Sequence, residues 1–174
     1  MENNELILIG ASVLAAHRIE FLTQGLVAHF KNLPEHKQFK NLNPRVFLDD
    51  TESNKKLRRQ TLGQIFRILS EESSSLTLID ELDKYLQKRN LLIHDFWRTY
   101  YRNNNDYLIS SEPVEFCKTF LEHSAKLEDF FKGLLYLIAS HIANLNNHDI
   151  PRSISSYKKH SNYFRICLQR KKLI

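Results

Sequence analysis

Arg89 and His94, with Asn90 directly after the arginine, are the residues of this chain whose types and spacing suit chemistry. Cleaving RNA without a metal requires a base for the 2′-hydroxyl proton, an acid for the leaving 5′-oxygen and a cation for the charged phosphorane. Imidazole, with an ordinary pKa of about 6.5, serves as base or acid, and guanidinium offers planar donors to two phosphate oxygens. One Arg and one His are the smallest set that meets these needs. Asn90 and His94 are four apart and share a helix face, so Asn90 is placed to orient the imidazole or to cap a helix that restarts. Arg89 and His94 are five apart and point about 140° away from each other on a straight α-helix, so one chain does not easily bring both to one phosphate. Either the helix breaks near Asn90 or a second chain contributes through a two-fold dimer.

The run Lys88-Arg89-Asn90-Leu91-Leu92-Ile93-His94-Asp95-Phe96-Trp97 resembles the Arg-x4-His motif of HEPN domains. Those are small all-helical domains, often dimeric, and many are metal-independent endoribonucleases of toxin–antitoxin, abortive-infection and other defence systems. The resemblance covers residues 5–148 in architecture and about ten residues in sequence detail. It implies Arg89 and His94 as catalytic residues, Asn90 as their support, RNA as substrate, a homodimer that brings two motifs into one cleft, and an antitoxin protein as a further partner. Other members of the family are non-catalytic modules that regulate or bind a partner. In HEPN toxins paired with nucleotidyltransferase antitoxins, a tyrosine two residues after the motif histidine is modified to silence the enzyme; here that position is Phe96. The competing structural reading of Arg89 is a buried residue paired with an acid such as Asp83 or Asp95.

The elements that must position this motif are helices. Leu8, Ala11, Ala15, Ile19, Leu22, Leu26 and Phe30 recur every three or four residues and predict a long first helix over 5–30. Pro34, Pro44 and several Asn predict a loop over 31–54, and Leu62, Ile65, Phe66 and Leu69 predict a helix over 55–70. The polar run 71–75 then breaks the chain. Over 76–102 the stripe Ile79, Leu82, Leu86, Ile93, Phe96, Tyr100 skips one position, and that position is Arg89. Its flank carries Asp83, Gln87, Asn90, His94, Trp97 and Tyr101. Glu112-Pro113 opens a last long helix facing inward through Phe116, Phe120, Leu127, Phe130, Leu134, Leu137 and Leu145, ending at Asn146-Asn147. An all-α antiparallel bundle of four or five helices is the economical fold.

A length of 174 residues fits one domain, and four Gly and four Pro argue against β-sandwich or low-complexity architectures. No unbroken apolar run approaches the roughly 20 residues of a membrane span, and the acidic start does not read as a secretory signal, so a cytoplasmic protein away from membranes is expected. Two distant cysteines, Cys117 and Cys167, encode no disulfide framework. The eight histidines form no pair four apart, and no Gly-rich phosphate loop or zinc helix is present, so neither metal nor cofactor is expected.

Residues 151–174 hold seven Lys and Arg and no acid, which leaves 18 basic and 20 acidic residues for 1–150. The expected organisation is therefore a helical domain over 1–150 and a basic tail suited to a polyanion. Lys158, Lys159 and Arg165 interleave with Tyr157, Tyr163 and Phe164, either to bind single-stranded RNA or to dock the tail on the body through the aromatics. Near the motif, Trp97, Arg98 and Tyr101 are candidate RNA contacts; packing is the other use of those aromatics.

Overall fold

The computed structural model describes residues 3–30, 79–101 and 112–170; the expected loop over 31–54 and helix over 55–70 lie outside them. The described residues are helical with no strand, an all-α fold. Helix α1 spans Asn3–Phe30, α2 Ile79–Asn90, a π-helical turn Leu91–Asp95, α3 Phe96–Tyr100 and α4 Glu112–Asn146. A short α5 (Arg152–Ser155), a 3-10 turn (Ser156–His160) and α6 (Ser161–Arg170) complete the chain.

The long helix α4 is the centre, packed by α1, by the motif segment and by the C-terminal elements. Small or self-satisfied residues let α1 approach it. Ala15 and Ala16 are buried, and buried Ser12 and Thr23 return their hydroxyls to the Leu8 and Ile19 carbonyls at 2.8 and 3.0 Å. Arg18 meets Glu128 and Gly25 abuts Leu135, so α1 and α4 run in the same direction. The motif segment runs opposite to both: Tyr101 reaches Glu5 while Arg89 reaches Glu20, and Phe96 packs on Phe116 while Tyr85 packs on Phe120. Asn147 ends α4 with a left-handed φ of 52°, a conformation that asparagine tolerates better than most residues.

The basic C-terminal region folds. Ile154, Phe164 and Cys167 are buried in the common core, and Phe164 packs on Phe130 with ring centroids 4.8 Å apart. Gly133 permits the close approach, since a Cβ there would lie 2.4 Å from the His160 carbonyl oxygen and 2.7 Å from Phe164 Cβ. The His160–Asp129 pair at 3.0 Å closes the same contact.

Unbroken apolar runs understate α1. Taken as a helix, Asn3–Leu26 is long and apolar enough to cross a membrane by length and composition, and a third of it is buried inside this fold. Four of its large apolar side chains, Leu6, Ile7, Leu14 and Phe21, are exposed.

Candidate functional site

Helix α2 begins with Asp80 and Glu81 and ends with Lys88 and Arg89, charges that complement the helix dipole at each end. Its inward residues are Leu82 and Tyr85. The Tyr85 ring stacks on Phe120 at 5.2 Å and takes His123 edge-on at 5.4 Å. Directly after Asn90 the backbone widens into the π turn over Leu91–Asp95, and α3 restarts with buried Phe96 against Tyr100 and Phe116. Single π turns inside helices occur frequently at functional sites. Because a π turn pairs residues five apart where an α turn pairs residues four apart, positions 89 and 94 lie closer to one face than a straight α-helix would put them.

Arg89 is only 19% exposed and is held from across the fold. Its Nε donates to Glu20 Oε1 at 3.0 Å, its Nη2 donates to the same oxygen, and its Nη1 donates to Asn90 Oδ1 at 3.2 Å. The other Glu20 oxygen faces His17 Nδ1 at 3.4 Å. The structural partner of Arg89 is thus Glu20 rather than Asp83 or Asp95: Asp83 is exposed and Asp95 pairs with Arg98 at 3.4 Å. Beneath this ion pair burial pushes the Tyr85 hydroxyl up to about 12; nearby Glu20 adds to the shift, while Arg89 and the hydrogen bond with Ser124 oppose it. Tyr85 therefore stays neutral.

His94 sits in the π turn with its side chain exposed, and no described residue hydrogen-bonds it. The structure brings Arg89 and Asn90 into direct contact and leaves the His94 imidazole facing solvent near the same turn. Of the guanidinium donors, Nη1 is the one held by a neutral amide, which a phosphate oxygen can replace with a charge-assisted bond.

Trp97 is 61% exposed and stacks on Tyr101 at 4.5 Å, and the Tyr101 hydroxyl donates to Glu5. Burial and the Glu5 carboxylate both push the Tyr101 hydroxyl above its ordinary range. Anchored at Glu5 and Glu20, Tyr101 and Arg89 attach to α1 positions roughly 22 Å apart along its axis, at 1.5 Å per residue. Lys158, Lys159 and Arg165 are exposed cations on the C-terminal elements, while Phe164 is core and Tyr157 lies under Lys132 at 5.7 Å. Tyr163 also packs against the core, so docking accounts for all three aromatics there and leaves the exposed cations facing solvent, where a polyanion can meet them. Among the described residues, no group of His, Cys, Asp and Glu lies together as a metal site.

One participant escapes a reading of the sequence. It is Glu20, and its signal is a carboxylate beside Ile19 on a largely apolar helix. His123 lies on the apolar face of α4, where periodicity places it as a core or flank histidine with a bonded neighbour; its Nε2 is buried but has no hydrogen bond and lies 3.5 Å from Glu81 Oε2. Burial, followed by the field of Lys88, lowers its pKa despite the opposing Glu81 carboxylate. No protein-family model matches the chain, and neither the curated proteins nor the solved structures contain a match.

Proposed function

We propose that this chain is a metal-independent endoribonuclease of HEPN type, acting as a cytoplasmic homodimer, with a toxin or defence role and an antitoxin as its protein partner. The single observation that carries the reading is the π turn over Leu91–Asp95, which follows directly on Asn90 and departs from straight-helix geometry between Arg89 and His94. In this mechanism His94 takes the 2′-hydroxyl proton, the 2′-oxygen attacks its own phosphorus, and Arg89 stabilises the phosphorane. The P–O5′ bond breaks as the partner subunit's His94 donates a proton to the leaving oxygen. The products are a 2′,3′-cyclic phosphate and a 5′-hydroxyl end. Arg98, Trp97 and Tyr101 beside the motif, with Lys158, Lys159 and Arg165, contact the strand.

One observation favours a second reading. Two Arg89 donors are already spent on Glu20, as in a structural ion pair, and this suits a non-catalytic HEPN-like module that binds a partner. Incubation of the purified chain with end-labelled RNA in excess EDTA, beside His94→Ala, separates the two: the nuclease reading expects cyclic-phosphate ends from the parent chain only, and the module reading expects intact RNA from both.

A further inference from the structure

A groove of about 790 Å³ opens between α1 and α4. At 100° per residue most of its α1 residues lie on the flank opposite Glu5 and Glu20, and His17, which also lines it, is where it borders the Arg89 site, 3.4 Å from Glu20. Its floor is apolar: Ala11, Leu14, Phe21 and Leu22 of α1, with Leu121 of α4. Leu14 and Phe21 are each 65% exposed, and Ile7, 67% exposed, extends their seven-residue spacing toward the N-terminus. Apolar side chains repeated every seven residues make a seam that fits another helix.

The rim is basic. Arg18 Nε lies 3.5 Å and Lys132 Nζ 2.5 Å from opposite oxygens of the one carboxylate of Glu128, so two cations share one anion. Tyr157 lines one part of the groove, and exposed Lys158 and Lys159 follow it in sequence.

We propose that this groove docks an amphipathic helix of a different protein, with an apolar stripe on the Leu14–Phe21 seam and carboxylates that meet Arg18 and Lys132. Charge selects this occupant over the others. An isologous second copy would bring the same cations to the same surface. The stretch 55–70 of this chain carries five Lys and Arg and no acid, so it repels the rim. Single-stranded nucleic acid takes stacking platforms, and most of this floor is aliphatic.

The test uses the full chain and a displayed library of amphipathic helices of about five turns, with the apolar stripe fixed and the flanks randomised. Selected flanks become rich in Asp and Glu. Anisotropy titrations of the selected peptides then lose about tenfold or more in affinity with the Arg18→Glu/Lys132→Glu double variant, and Glu-to-Lys exchange in the peptide restores binding to that variant. Leu14→Asp abolishes binding, and circular dichroism melts of each variant confirm a folded chain. Neutral or basic flanks, no enrichment, or affinity indifferent to the charge reversal overturns the proposal. So does a chain that light scattering finds dimeric until Leu14→Asp makes it monomeric, or RNA that binds in competition with the peptides.

Discussion

Arg89 places two donors, Nε and Nη2, on a single oxygen of Glu20, 69 residues earlier in the chain. This contact ties the motif to α1 and fixes the guanidinium plane, and it leaves Nη1 on the Asn90 amide. Both charges are about one-fifth exposed, so the pair is neither a surface bridge of negligible effect nor a dry one.

Glu20→Ala leaves Arg89 half-buried without its acceptor. The expected cost is about 1–3 kcal/mol, within the range for hydrogen bonds to charged groups and for unsatisfied buried ones. Glu20→Gln keeps one acceptor and costs less. Urea unfolding of the two variants checks this; equal stability of both with the parent would mean that the pair holds nothing in place.

Gly133→Ala drives a methyl group into the His160 carbonyl and Phe164. A destabilisation of about 1–3 kcal/mol, the usual range for overpacking, is expected. Amide exchange over 152–170 should accelerate more than exchange in the first half of α4. Uniform acceleration would place the strain elsewhere.

The salt dependence of RNA binding tests the exposed cations. Removing 151–174 outright would take away buried Ile154 and Phe164, each worth about 1.5–3 kcal/mol, and so disturb the body itself. Lys158→Gln, Lys159→Gln and Arg165→Gln together spare the core. The log–log salt slope should flatten by about 0.7 for each phosphate that is no longer neutralised, whereas an unchanged slope would leave these residues out of the interface.

His123 and His160 make the fold sensitive to acid. Desolvation lowers both pKa values below the ordinary imidazole value, against opposing carboxylates at Glu81 and Asp129. The unfolded chain therefore takes up these protons first, so the full stability is present above about pH 6.5 and is lost as pH falls through the lower folded values. His123→Gln should flatten part of that decline in unfolding free energy measured from pH 7.5 to 5. A decline as steep as the parent's would assign it to other groups.

The sequence carries much of this arrangement and misses particular contacts. The ends of α1 and α4 follow from periodicity, Pro113 and Asn147, because local signals set them. Facing is harder. The apolar stripe puts Ile93 inward, yet it is 37% exposed, while Leu92 and Tyr85 are buried in its stead. Three apolar residues in a row, Leu91-Leu92-Ile93, leave the phase of a stripe open, and tertiary packing, with α1 against this turn, decides it. Leu145, also expected inward, is 53% exposed because α4 there runs past the core. Glu20 as the partner of Arg89 is illegible in the sequence, since a pairing across 69 residues is set by how α1 meets the motif segment and not by spacing.

Whether Arg89 and His94 perform chemistry is decided by cleavage rates and melting temperatures measured together for His94→Ala and Arg89→Lys. With the exposed His94 replaced, the rate on labelled RNA in EDTA falls roughly 10²–10⁴-fold, with an unchanged melting temperature and RNA affinity nearly kept. Arg89→Lys should also cleave poorly, because an ammonium lacks the planar fork. Folded His94→Ala protein that cleaves at the parent rate, or a parent chain that cleaves nothing as a dimer, would contradict that chemistry.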